Sequence, residues 1–171
     1  MEVTFKHKKL LEDLYSAKDS VVITALNELR KSGDNTVIPY LVDLYVSSPS
    51  DIVKSETEKF LKDLKDNEAA KPLSEALKNP KYKDYLENLT AICWQADIDF
   101  SSYIDTFTEI AIKGDYQTSI EAFTVIEESL PNIPQTDIQR HISYLKDEIT
   151  KIDKNKVPLI RELIISLENA L

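Results

Sequence analysis

Cys93, Trp94, Asp97 and Asp99 crowd into the stretch AICWQADIDFSSYID, from Ala91 to Asp105, and Cys93 and Trp94 are the only residues of their types. Three chemistries come to mind. A thiol can act as a nucleophile when a histidine or other base activates it. The two histidines, His7 and His141, lie far off in the sequence, so no local pair is present. Cys93 instead falls on the apolar stripe of a helix, where a free cysteine behaves as a small buried hydrophobe. Two neighbouring carboxylates can hold a cation, but a calcium loop needs further oxygen ligands at fixed offsets, with a glycine and a closing glutamate. They can also run acid–base chemistry, which requires a pocket. The simpler reading makes Asp99 a cap for the helix that follows, with Asp97 serving the same turn. The stretch is then a junction between helices. Trp94 sits about 140° around the helix from Leu89, off the centre of the stripe. It is expected either to pack under the following loop or to stand out as an anchor for a partner.

The remaining sequence adds no catalytic signature. There is no phosphate-cradling glycine loop, no HExxH, no paired CxxC and no G-x-S-x-G. No catalytic residue, metal ligand, cofactor or small-molecule substrate is assigned. His141, in IQRHISYL, is expected on a helix face. The basic cluster KHKK at 6–9 is expected to be a solvated face.

These residues must be carried by helices. The chain has 171 residues and only two glycines, Gly33 and Gly114, where ordinary usage predicts about twelve. Strand-rich folds use glycine for turns and bulges. Apolar residues recur at helical spacing almost throughout. The pattern predicts ten helices, near 4–16, 20–32, 36–47, 50–65, 68–78, 81–96, 100–113, 116–129, 136–152 and 157–170. Asp19, Asn35, Asp115 and Thr136 are expected caps. Pro49, Pro80 and Pro158 are expected at or near helix starts. Both glycines precede Asp, and both are expected to end helices in the left-handed conformation. Short connections imply antiparallel neighbours. The expected core includes Leu41, Leu44, Phe60, Leu61, Leu64, Leu89, Ile92, Phe107, Ile110, Ile120, Phe123 and Ile126. The stripe in 116–129 is predicted as Tyr116, Ile120, Phe123 and Ile126, flanked by Ala122 and Val125.

Charge is distributed unevenly. The net charge is −9. Residues 97–128 hold eight acids and one lysine, Lys113, so most of the excess lies there. A nucleic-acid binder would be expected to gather Lys and Arg on one face. The best candidate stripe is Lys54, Lys59, Lys62, Lys65, Lys71, Lys78, Lys81 and Lys83. The absence of a signal-peptide pattern and of a membrane-length apolar run, with a single cysteine, leads to the expectation of a cytoplasmic protein.

A period is visible as well. NTVIPYLVDLY starts at Asn35, NEAAKPLSEAL at Asn67 and DFSSYIDTFTEIA at Asp99, each 32 residues after the last. Each opens an amphipathic helix followed by a second one. A two-helix unit repeated at this period cannot close its own core and must stack on its neighbours. In GDNTVIPYLVDLY with SDIVKSETEKFLKDL, and in FSSYIDTFTEIAIKGDYQTSIEAFTVIEE, the chain resembles the HEAT-repeat family and related armadillo-like α-solenoids. It departs from that pattern where many repeats carry Asp then Val-Arg; here the residues are DIVKSE and DYQTSI.

The resemblance implies an all-α fold: a right-handed superhelix of about five stacked antiparallel helix pairs in one domain, 1–171. Its repeat core would span about 35–129, with terminal pairs at 1–34 and 130–171. It also implies a non-enzymatic protein-interaction scaffold. In such stacks the second helix of each pair lines the concave side. The expected partner surface is therefore Trp94 with Gln117, Glu121, Thr124 and Glu128. It would continue through Lys83, Glu87 and Thr90 and through Asp51, Ser55, Glu58 and Lys62. The partner is expected to be another protein, with basic residues at the end near 115–128. The alternatives are a hydrolase or lyase using acids of 97–128, and a helical-repeat nucleic-acid binder.

Overall fold

The computed structural model describes residues 5–171, with side chains from His7 onward, and the described residues are helical without strands. Ten α-helices follow one another: α1 (Phe5–Asp13), α2 (Asp19–Ser32), α3 (Ile38–Ser47), α4 (Asp51–Lys62), α5 (Ala70–Leu77), α6 (Leu86–Gln95), α7 (Ile104–Lys113), α8 (Tyr116–Ser129), α9 (Gln135–Glu148) and α10 (Val157–Asn169). Short 3₁₀ turns lead into α3, α5, α6 and α7, and another follows α8. The ten expected helices are thus found in order. The expected start of the first lies outside the described residues.

The expected helices 36–47, 68–78, 81–96 and 100–113 each open with 3₁₀ residues before the α-helix begins. The division is longest in 81–96, where Pro80–Tyr85 is 3₁₀ and α6 starts at Leu86. Three residues per turn puts Tyr82 and Tyr85 on one face, and both pack against the core. Of the predicted caps, Asp115 accepts from Thr118 N at 2.8 Å. Asp19 is instead the first residue of α2 and accepts the Ser50 hydroxyl at 2.6 Å. Asp34, one residue before the predicted Asn35, caps the turn into α3. Thr136 lies inside α9. Neither glycine is left-handed. Gly33 and Gly114 end α2 and α7 in extended backbone, with φ of −71° and −66°.

Consecutive helices pack in pairs: α1 on α2, α3 on α4, α5 on α6, α7 on α8 and α9 on α10. The second members also pack on one another in turn, from α2 through α4, α6 and α8 to α10. Among the first members, α3 packs on α5 and α7 on α9. Several polar links between successive pairs join residues 31 to 35 apart. They include Ser50 to Asp19, Arg30 to Asp63, Lys54 to Tyr85, Arg140 to Asp105 and Tyr144 to Glu109. The loops between pairs share a ladder of the same period. Asp34, Asp66 and Asp99 each accept the backbone N–H two residues on. Asn35 then donates to Asp66 at 2.8 Å, and Asn67 accepts from Asp99 N at 2.8 Å.

The apolar core runs continuously through all ten helices. Phe100 and Phe107 meet edge to face inside it, with ring centroids 5.3 Å apart. Nine of the twelve residues expected in the core are buried; Leu64, Ile120 and Phe123 are half-exposed. Two of these three belong to α8, whose phase differs from expectation. It buries Thr118, Ser119, Ala122, Val125, Ile126 and Ser129, and leaves Tyr116 exposed. α8 packs closely on both α6 and α7, and small residues let helices approach. The hydroxyls are satisfied by backbone carbonyls four residues back: Ser119 donates to Asp115 O at 2.7 Å, and Ser129 to Val125 O at 2.8 Å. A hydrophobicity pattern cannot register that choice. Nor could it foresee Lys156, which is 3% exposed. Its ammonium donates to Ile112 O at 2.7 Å and Gly114 O at 2.6 Å, closing the C-terminus of α7, where a cation suits the helix dipole.

Candidate functional site

An open cleft of about 410 Å³ lies where α6 and α8 end. Its walls are Trp94 of α6, the turn 96–100, and Glu128 and Ser129 of α8; Lys65, Asn67 and Asn132 complete the rim. The turn is held in place by its backbone. Asp97 N donates to Leu64 O at 3.2 Å, and Asp99 N to Asn67. Asp99 uses one carboxylate oxygen to cap the next turn, accepting Ser101 N at 2.8 Å. That is the turn role expected for it. Asp97 is exposed, and no ion pair engages Asp97 or Glu128 among the described residues.

Trp94 is 39% exposed. Its indole Nε1–H donates to Glu121 Oε2 at 2.5 Å, across the α6–α8 contact. The ring therefore stands on the surface beside the cleft. Of the other expected partner-facing residues, Gln117 and Glu128 are exposed and Glu121 and Thr124 are half-exposed. Thr124 spends its hydroxyl on Ile120 O at 3.1 Å. Trp94 and Glu128 share the cleft, and Trp94 and Glu121 share a hydrogen bond. Thr90 does not belong to the surface row predicted for it. It is fully buried and donates to Leu86 O at 2.6 Å. A threonine can turn inward this way because its hydroxyl bonds its own helix.

Cys93 lines the floor of the cleft but is 1% exposed, and its thiol donates to Leu89 O at 3.3 Å. Burial pushes the thiol far above its ordinary pKa, the opposite of what a nucleophile needs. Both histidines are engaged elsewhere. His7 is buried and bonds Ser32 O at 2.7 Å; His141 is buried and bonds Thr108 Oγ1 at 3.0 Å. Their burial corrects the solvated-face expectation at residue 7. The flanking Lys8 and Lys9 are exposed. Within the acidic segment, Glu109 is held below the usual carboxylate range by hydrogen bonds from Lys113 and Tyr144. Asp115 is lowered by Thr118. A general acid would be shifted upward.

A second cleft, of about 230 Å³, lies one step back along the same edge, between the ends of α2 and α4. It shares Lys65 with the first. Among the described residues, no group of three or more His, Cys, Asp or Glu side chains is placed to hold a metal ion, and no helix is long and apolar enough to cross a membrane. Of the candidate basic stripe, Lys59, Lys62 and Lys81 pair with Glu56, Glu58 and Asp43.

In comparison with known proteins, no family model and no curated protein matches the chain.

Proposed function

We propose that this chain is a non-enzymatic protein-interaction module, a short right-handed α-solenoid of the HEAT or armadillo kind. The pairwise packing, the successive contacts among second helices and the polar links at 31 to 35 residues support the stacked-repeat reading. One observation carries the functional part: the single tryptophan stands exposed at a cleft, with its orientation fixed by Glu121. An exposed indole with a satisfied N–H is a low-entropy anchor for a partner. The charge of 97–128 makes that partner a protein with a basic surface. Such complementarity mainly raises the association rate and makes it sensitive to salt.

The test is capture from a lysate of the source organism, comparing the wild-type chain with Trp94→Ala and with the Glu121→Lys, Glu128→Lys double variant. The same proteins bound to all three, with the same salt dependence, would remove this surface. Proteins retained by the wild type and lost from both variants support it.

A further inference from the structure

The two clefts along one edge differ in how their charges are met, and the smaller one supplies a template for the larger. In the smaller cleft the chain provides its own guanidinium. Arg30 lies over the Phe60 ring, 4.9 Å from its centroid, pairs with the Asp63 carboxylate and reaches Glu56 O at 3.3 Å. An aromatic face, a carboxylate and a carbonyl are the partners that suit a planar guanidinium. The larger cleft offers an exposed aromatic ring, Trp94, with Asp97 and Glu128 on its walls. No arginine lines it, and neither carboxylate has a basic partner among the described residues.

We propose that the cleft between the ends of α6 and α8 takes an arginine side chain from a partner protein, held as Arg30 on the wall of the neighbouring cleft is held, between an aromatic ring and a carboxylate. The guanidinium lies against the Trp94 ring and pairs with Asp97 and Glu128. Tryptophan is the best aromatic partner for a cation. The Glu121 bond holds the ring in place beforehand. Lys65, on the rim, opposes the incoming charge and limits affinity. The inference rests on the interaction-module reading and names the partner's chemistry.

Trp94 is the only tryptophan, so its fluorescence reports on this cleft alone. The probe is a capped tri-arginine peptide titrated into the full chain, with tri-lysine and tri-citrulline peptides as controls. Tri-arginine is expected to give a saturable change, at least fivefold tighter than tri-lysine, and tri-citrulline none. The Asp97→Asn, Glu128→Gln double variant is expected to weaken tri-arginine at least tenfold, and Lys65→Ala to tighten it twofold or more. These are surface positions, and circular dichroism checks that each variant keeps its helices. Binding unchanged in the double variant, or equal binding of tri-citrulline, overturns the proposal. So does a wild-type chain that leaves tri-arginine unbound. If lysate proteins still depend on Trp94 in that case, the interaction module survives and only the arginine is lost.

Discussion

His141 lies buried in the joint between α7 and α9. Thr108 donates its hydroxyl to Ile104 O at 2.9 Å, so it accepts from His141 Nδ1–H. Nε2 lies 3.2 Å from Asp105 Oδ1 but makes no hydrogen bond. The charged groups around it are Asp105 from α7 and Arg140 and Asp137 from α9. Burial, helped by Arg140, lowers the imidazole below its usual value and outweighs the two aspartates. The unfolded chain, with a histidine near 6.5, therefore binds more protons in the window just below that value. Stability is expected to fall as pH drops from about 6.5 through the folded value. Urea midpoints between pH 7.5 and 5.5 should decline more steeply for the wild type than for His141→Gln. Parallel profiles would show that the ring titrates no differently in the two states.

At the scale of the element, the glycines end their helices for a reason other than the one their sequence setting suggests. With φ negative at both, the backbone conformation is open to any residue. What excludes a side chain is space. A Cβ at Gly33 would come 2.6 Å from Leu29 O, and one at Gly114 would come 2.8 Å from Ile110 O and 3.0 Å from Thr118. Backbone carbonyls of a packed helix cannot give way cheaply. Gly114→Ala is expected to lower stability by about 1–3 kcal/mol. Gly114→Asn should do no better, although asparagine tolerates the left-handed conformation. A clearly milder loss for Asn in chemical denaturation would restore the left-handed explanation. The same logic of fit governs α8, where Ser119 and Ala122 face inward and Phe123 lies at the edge.

The whole molecule depends on a core shared between successive pairs, so deletions should be felt according to depth rather than hydrophobicity. Phe107 is fully buried and packs on Phe100. Phe107→Ala is expected to cost about 3–5 kcal/mol. Such a loss approaches the full stability of a marginal domain. Phe123→Ala, at a half-exposed site, should cost well under half as much. The pair of measurements, made by urea unfolding followed by circular dichroism, checks the phase of α8 directly. Equal losses would return Phe123 to the centre of the core.

The ten helices, their order and the 32-residue period were legible because they depend on local quantities: apolar spacing, proline positions and the scarcity of glycine. The turn role of Asp99 and the burial of Cys93 follow from the same local reading. The cleft was not legible, although Trp94, Asp97, Asp99 and Glu128 each stand out in the sequence. Its existence depends on where the ends of α6 and α8 meet, and Asp97 and Glu128 are 31 residues apart. The face that α8 turns inward, the burial of Thr90, and the reach of Lys156 to the end of α7 were likewise decided by packing. Each depends on which neighbour a helix approaches closely and on which carbonyl lies within reach, and those distances exist only once the chain has folded.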